Sequence, residues 1–216
     1  MKKIKISRIA GIILLCGFVV WTAVILTVGR GEVGPLRSSV GLSGLNSDFS
    51  EIIGSNMLLY SLTDILSIIP IGMVLCFASV GCIQLFKRRS LLRVDKHLIL
   101  LGGYLLLVFA LYLLFDLIAV NYRPVLIDGA LEPSYPSSTT LLVICVDFTC
   151  AIELEYIPWK KGVRKLLMIG LYLFTIFMIG ARILSGVHWI TDIIGGILLG
   201  SGLVSLYASF RPQLEK

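Results

Sequence analysis

The sequence predicts an all-α, polytopic membrane protein, a six-transmembrane-helix bundle that forms a single membrane domain over residues 1–216. Hydrophobic residues make up 57% of the chain and charged residues only 15%, and the mean hydropathy is +0.95. A soluble domain of this length needs a charged outer shell, so the composition indicates lipid as the solvent. The hydrophobic residues are also gathered into runs on the scale of a bilayer-spanning helix.

The six predicted spans cover residues 9–29, 57–86, 97–120, 136–156, 166–183 and 189–210. The first run is uncharged and longer than the apolar core of a cleavable signal, so we expect it to remain as a helix. Pro70 breaks the second run, and the fourth is the weakest because Asp147 interrupts it. The outer segment between the first two spans is rich in Gly and Ser, which indicates a flexible loop with a short interfacial helix at 49–53.

The basic residues predict how the spans are oriented. Fifteen of the 19 lysines and arginines, including every lysine, fall on one side of the predicted bundle. By the positive-inside rule that side is the cytoplasm, and both termini lie there. The arginines left for the outer side are Arg30, Arg37, Arg123 and Arg182. The net charge of +6 therefore reflects topology, and no nucleic-acid partner is predicted.

The remaining composition indicates no cofactor. Five cysteines, an odd number without a CxxC pair, lie inside apolar runs, which argues against both a disulfide framework and a zinc site. No metal site is predicted. The short polar tails and compact layout favour a bacterial plasma membrane as the location.

Three polar segments lie near the outer ends of the spans, where ionisable groups are costly and are usually functional. They cover residues 121–124, 133–140 and 180–192. Pro136 suits the first turn of the fourth helix, which would leave three backbone amides free to bind an anion. These amides belong to Ser137, Ser138 and Thr139.

Two outer arginines and a histidine–aspartate pair complete this anion site. Arg123 and Arg182 carry planar guanidinium groups that match phosphate oxygens. His188 and Asp192 are four residues apart and therefore share one face of the sixth helix. A carboxylate there can hold one imidazole nitrogen and leave the other as a nucleophile or base. Together these residues predict a phosphate site on the outer face.

The pattern Arg182-x5-His188-x3-Asp192, with Arg123-Pro124 and Pro136-Ser137 before it, resembles the type 2 phosphatidic acid phosphatase and haloperoxidase superfamily. The membrane branch of that superfamily has six helices and the motifs KxxxxxxRP, PSGH and SRxxxxxHxxxD. The resemblance covers a phosphatase-like core at about residues 116–192. It implies that His188 is the nucleophile and forms a phosphohistidine, that Asp192 orients it, and that the arginines and the Ser137 region bind phosphate without a metal.

This chain departs from each of the three motifs. Asp116 stands where the first motif has Lys, Thr139 where the second has His, and Ala181 where the third has Ser. The change at Thr139 matters most, because the missing His would protonate the leaving group. His97 cannot replace it, since it lies at the cytoplasmic end of the third span. We expect Asp116 to form an ion pair with Arg123 or Arg182.

The sequence thus predicts a membrane enzyme that hydrolyses a lipid phosphate or, by preference, an isoprenyl pyrophosphate. The predicted partners are this substrate and membrane lipids. There are two alternatives: a phosphotransferase that uses the same site, and a relative that binds lipid phosphates without turnover. A small-solute transporter fits least well, because its polar groups would lie at the bilayer midplane and not at the outer rim.

Overall fold

The computed structural model describes residues 2–211 and 213, and within these residues the chain is almost entirely helical. The helices and strands, in chain order, are α1 (Lys2–Thr27), β1 (Gly31–Val33), β2 (Ser38–Val40), α2 (Ser43–Ile53), α3 (Met57–Leu66), α4 (Ile68–Arg88), α5 (Lys96–Ile118), α6 (Ser138–Leu154), α7 (Lys161–Leu184) and α8 (Ile190–Phe210). A single 3₁₀ turn at Leu91–Arg93 links α4 to α5.

Five helical stretches of the described chain are long and apolar enough to cross a membrane. They are Ile4–Thr27, Met57–Arg88, Lys96–Ile118, Lys161–Leu184 and Ile190–Phe210. Large apolar side chains cover their outward faces; Leu58 and Leu117, for example, are each 84% exposed. In a soluble protein such a surface would aggregate, so these faces lie against lipid and the chain is an all-α integral membrane protein.

The short helix α6 lies at the centre of the bundle. Thirteen of its 17 residues are buried, and it packs against α4, α5, α7 and α8. Gly196 and Gly200 of α8 bring the two helices close, because a Cβ at Gly200 would lie 2.9 Å from Ile144. The fully buried carboxylate of Asp147 accepts a hydrogen bond from Thr175 of α7 at 2.7 Å.

A buried polar cluster joins the ends of three helices, on the side of the bundle that the basic residues predict to be cytoplasmic. The buried carboxylate of Glu153, at the end of α6, accepts hydrogen bonds from Arg211 at 2.7 Å and from the Tyr207 hydroxyl at 2.5 Å. Its second oxygen lies 3.0 Å from Nδ1 of His97 on α5. Since each buried polar atom here has a partner, the cluster holds α5, α6 and α8 in register.

The N-terminal helix α1 packs mainly on α8. Glycines allow this approach: a Cβ at Gly11 would lie 2.9 Å from Leu206, and one at Gly202 would lie 2.8 Å from Leu15. Ser7 adds a hydrogen bond from its hydroxyl to the carbonyl oxygen of Ser205, 198 residues away in sequence, at 2.7 Å. Elements from the two ends of the described chain are therefore neighbours.

The outer segment between α1 and α3 is more ordered than the flexible loop that its composition predicts. It forms the antiparallel β1–β2 hairpin and the eleven-residue helix α2. Asn46 of α2 is fully buried and donates to the carbonyl oxygen of Gly41 at 2.8 Å and to the hydroxyl of Thr191 at 3.0 Å. These bonds attach the segment to the first turn of α8, a constraint that local composition does not reveal.

Candidate active site

His188 lies in the loop between α7 and α8, and only 5% of it is exposed. Its Nδ1 is 3.1 Å from the carbonyl oxygen of Ser134. A carbonyl oxygen can only accept, so Nδ1 carries the proton and Nε2 keeps its lone pair. Gly186 shapes this loop: its φ is +63°, and a Cβ there would lie 1.8 Å from the carbonyl oxygen of Gly54.

The carboxylate of Asp192 lies beside the imidazole but does not hold it directly. One oxygen is 3.7 Å from Nδ1 of His188 and accepts the backbone N–H of Trp189 at 3.1 Å. The other oxygen accepts from the side-chain amide of Asn121 at 3.2 Å. The expected direct contact between the carboxylate and the ring is thus replaced by the Ser134 carbonyl. Asp192 instead caps the start of α8 and places a negative charge next to the ring.

Arg123 lies on the other side of the imidazole, with Nη1 3.3 Å from Nε2 of His188. Its Nε is 3.1 Å from a carboxylate oxygen of Glu132. The expected ion pair between Asp116 and an arginine is wrong for the described residues, where Glu132 takes that place. The reason is that α5 ends at Ile118, before Arg123, so the two residues do not share a helix face.

Arg182 occupies a second position near the end of α7. Its Nη1 donates to the hydroxyl of Thr63 at 2.9 Å, and its guanidinium lies over the ring of Tyr60 at 4.8 Å. Its Nε is buried and has no hydrogen-bond partner among the described residues. A buried N–H without a partner is rare, and a guanidinium N–H of this kind is able to donate to an anion.

The start of α6 supplies the expected free amides, shifted by one residue. Ser137 is the N-cap residue and Pro136 precedes the helix, outside its first turn. The Ser137 amide is not free, because it donates to the carbonyl oxygen of Asp192 at 3.0 Å. Within the described chain, the amides of Ser138 and Thr139 donate no backbone hydrogen bond, as is usual in a first helical turn. The amide of Ser137 thus has a partner within the protein, whereas those of Ser138 and Thr139 have none in the part of the chain that the structure describes; that these three residues bind phosphate stays a prediction.

Two adjoining cavities connect these groups. The first, the histidine pocket, has a volume of about 340 Å³ and is lined by His188, Arg123, Glu132 and Ser138, among others. The second, the arginine cavity, has a volume of about 620 Å³ and shares Arg123, Glu132 and Ser138 with the first. Arg182 and Thr139 line only the second cavity. Arg123 thus stands where the two cavities meet.

The arginine cavity continues away from the polar site into an apolar groove between α4 and α5. This groove has a volume of about 680 Å³ and shares Val74, Leu105 and Phe109 with the cavity. It extends along α5 as far as Leu98. From Tyr112 in the arginine cavity to Leu98 the path follows about 21 Å of helix at 1.5 Å per residue.

The electrostatic environment favours the neutral form of His188. Burial lowers the pKa of its imidazole well below the ordinary value, and the positive charges of Arg123 and Arg182 lower it further. The hydrogen bond to Ser134 acts in the opposite direction but is the smaller effect. The lone pair at Nε2 of this neutral ring accepts a hydrogen bond from Arg123, and it can attack phosphorus when a phosphate takes over that guanidinium.

The sequence did not single out several residues that build this site. Glu132 contacts Arg123 across the turn, Asn121 positions Asp192, and Tyr60 and Thr63 hold Arg182 from α3. Asn121 belongs to the polar segment 121–124, so the sequence indicated the segment but not the contact of Asn121 with Asp192. The other three depend on contacts between distant parts of the chain.

Comparisons with known proteins identify the family and a similar fold. A family model described as the PAP2 superfamily matches residues 107–216. No curated protein matches the chain. The solved structure of a transmembrane PAP2-type phosphatidylglycerolphosphate phosphatase from Bacillus subtilis matches with a TM-score of 0.63 and 19% identity, covering 94% of this chain and 96% of that one. This similarity supports the fold of a membrane PAP2 protein. Since the family model covers half of the chain, including His188 and Asp192, the protein belongs to the PAP2 superfamily.

Proposed function

We propose that this protein is a lipid phosphatase that hydrolyses a lipid phosphate, and preferably an isoprenyl pyrophosphate, at the outer face of the membrane. One observation carries the proposal. The unprotonated Nε2 of a neutral, buried His188 lies 3.3 Å from the guanidinium of Arg123, in a pocket that adjoins the arginine cavity and, through it, the apolar groove. In-line attack by this nitrogen on phosphorus would give a phosphohistidine, with no metal required.

The cationic groups around this pocket support phosphate as the group bound. Arg123 and Arg182 would surround the phosphate oxygens, and the unpaired Nε of Arg182 offers one further donor. The amides of Ser138 and Thr139 add the positive end of α6. Such preorganised donors stabilise the charge that develops during phosphoryl transfer.

The apolar groove supports a lipid as the molecule that carries the phosphate. A soluble phosphate ester would gain nothing from a hydrocarbon-lined groove that continues from the arginines along α5. A prenyl or acyl chain in the groove would instead bury apolar surface at roughly 0.8 kcal/mol per methylene. The shape of the site therefore favours a substrate with a charged head and a long apolar tail.

Thr139 supports a pyrophosphate as the preferred head group. Its hydroxyl stands where a proton donor is expected, so the leaving oxygen must depart unprotonated. A lipid alkoxide leaves poorly, since the pKa of its conjugate acid is comparable to that of water at roughly 15.7. A phosphate that leaves from a pyrophosphate has a relevant pKa of about 6 and needs no such help.

The groove gives a direct test of the function. In the purified protein, Leu105→Trp should raise the KM for a long-chain isoprenyl pyrophosphate roughly tenfold, because an indole would block the route of the chain. The KM for isopentenyl pyrophosphate, which has a very short chain, should stay unchanged. Leu107→Trp is the control, since Leu107 is exposed two residues away on α5 and lines neither cavity. Failure of the wild type to release phosphate from any lipid phosphate or pyrophosphate would refute the function.

The membrane arrangement that we propose has six spans, with α6 as the fourth and both termini in the cytoplasm. α6 is about 25 Å long at 1.5 Å per residue, close to the thickness of the hydrocarbon core, and it is sheltered by its neighbours. The distribution of lysines and arginines supports the orientation. His188 would then face the outside of the cell.

Cysteine labelling tests this orientation. With the five native cysteines removed, Ala130→Cys should react with a membrane-impermeant maleimide on intact cells, and Lys160→Cys only after permeabilisation. Both positions are exposed, whereas Ser134 in the same outer segment is buried and would report poorly. The reverse labelling pattern would place the site on the cytoplasmic side.

A further inference from the structure

The second half of a phosphohistidine mechanism requires a proton acceptor. Water must attack the phosphorus, and a positioned base that takes its proton contributes roughly 10² to 10⁴ in rate. Thr139 cannot serve, because a hydroxyl is not a base at neutral pH. We propose that Glu132 is this base and accepts the proton of the water that cleaves the phosphohistidine. This inference rests on the proposed function.

One guanidinium brings Glu132 to the reacting nitrogen. Arg123 contacts Glu132 through Nε at 3.1 Å and His188 through Nη1 at 3.3 Å. Both residues line the histidine pocket, whose volume of about 340 Å³ accommodates a phosphoryl group and a water molecule. A phosphoryl group on Nε2 would therefore lie beside Arg123, with the Glu132 carboxylate at the far edge of the same guanidinium.

The backbone holds Glu132 in this position. The amide of Arg123 donates to the carbonyl oxygen of Glu132 at 3.0 Å, and the amide of Ser134 donates to that of Asn121 at 2.9 Å. Tyr122 and Pro133 form a β-bridge between these two bonds. The segment therefore folds back as a short ladder, and Glu132 is not part of a freely moving loop.

The other carboxylates near the site are less suitable. Asp192 is fully buried, and both of its oxygens already accept hydrogen bonds. Asp64 lines the arginine cavity but not the histidine pocket. Asp116 lines the pocket without an ion pair to Arg123 in the described chain. The side chain of Glu132 combines 42% exposure, which gives access to water, with a contact to the arginine that borders the nucleophile.

The proposed step is balanced. The water oxygen forms a bond to phosphorus as the bond between phosphorus and Nε2 breaks, and the electron pair of that bond returns to Nε2. One proton of the water moves to the carboxylate of Glu132, inorganic phosphate leaves, and the carboxylic acid then releases the proton to solvent. Nδ1 of His188 stays protonated throughout and keeps its hydrogen bond to the carbonyl oxygen of Ser134.

This role fits the preference for a good leaving group. The Glu132 carboxylate, which lies against Arg123, can accept a proton but has none to donate. Glu132 therefore assists the second step and not the first. In the first step the lipid part of the substrate must leave without a proton from an acid, which is possible when it leaves as the phosphate of a pyrophosphate. In the second step Glu132 still activates the attacking water.

Rapid-mixing kinetics on the detergent-purified full chain tests the role of Glu132. With an isoprenyl pyrophosphate labelled in its terminal phosphate, Glu132→Gln should form the phosphohistidine in the first turnover at the wild-type rate. Steady-state phosphate release should fall roughly 10²- to 10⁴-fold, and labelled phosphoenzyme should accumulate. Glu132→Asp, which keeps a carboxylate, should recover part of the steady-state rate. Asp128→Asn is the matched control, since Asp128 is exposed in the same segment at a φ of +48°, which Asn tolerates.

Each outcome discriminates between the hypotheses. If Glu132→Gln slows the first turnover as much as the steady state, the residue only holds Arg123, and the inference is wrong. A steady-state rate equal to that of the wild type also overturns it. If neither wild type nor Glu132→Gln forms any phosphoenzyme while both release phosphate, the phosphohistidine of the proposed function fails instead.

Discussion

His188→Ala should abolish phosphate release, with a loss of about 10⁴-fold or more, because no other group of the pocket can take over the attack on phosphorus. Asp192→Asn should reduce the rate severely while the protein still inserts. Asn can accept the hydrogen bond that caps α8, but it removes the negative charge 3.7 Å from Nδ1 that stabilises the charged imidazole. The measurement is phosphate release per mole of protein recovered from the membrane.

His97→Ala is the control for this experiment. His97 is the other histidine of the chain, and it lies with Glu153 at the opposite end of the bundle, so its loss should leave phosphate release nearly intact. A His188→Ala protein that keeps most of its activity would end the proposal that this histidine is the nucleophile. Equal losses in both variants would indicate misfolding and call for comparison of their thermal stability.

The wild-type protein should hydrolyse an isoprenyl pyrophosphate far faster than phosphatidic acid, by roughly 10² to 10⁴ in kcat/KM, because no acid assists the alkoxide. Thr139→His should narrow this ratio by raising the rate with phosphatidic acid. Thr139 lines the arginine cavity, which has room for an imidazole. Thr139→Val should leave the ratio unchanged, since the hydroxyl donates no proton. A wild type that prefers phosphatidic acid would show that another group protonates the leaving oxygen.

The sequence predicts those parts of the fold that the lipid environment requires, namely the long helices. Long uncharged runs must become helices in a bilayer, since each backbone amide needs a partner there. The outer segment was beyond such reasoning, because the order of α2 depends on Asn46 reaching Thr191, 145 residues away. The break at Ser67 between α3 and α4 falls just before Pro70, where the sequence did carry a signal.

The site could be predicted where the motif residues themselves meet. His188, Asp192, Arg123 and Arg182 were all expected near one another. The two cavities bring His188 and Arg182 to either side of Arg123, and Asp192 lies 3.7 Å from Nδ1 of His188. The ion pair of Asp116 was expected on the assumption that α5 continues to Arg123. The helix instead ends at Ile118, and Ala119 adopts a left-handed conformation with a φ of +49°.

Beyond this turn the chain folds back, and Arg123 forms its ion pair with Glu132 and not with Asp116. Helical periodicity relates only residues within one helix. It therefore cannot predict a contact that forms across a non-helical turn. Thr139 and Glu132 show what sequence patterns can and cannot reveal about this site. The first could be recognised as a departure from a motif, whereas the second became visible only once the turn was known.

The pairing of α1 with α8 has a consequence for how this protein is made. During synthesis α1 enters the bilayer long before α8 exists, so its glycine-containing face must first meet lipid or the insertion machinery. The first turn of α8 also carries Asp192, and His188 lies two residues before the helix begins. The candidate site therefore cannot assemble until α8 has inserted, and a chain that stops before α8 would lack both Asp192 and a partner for α1.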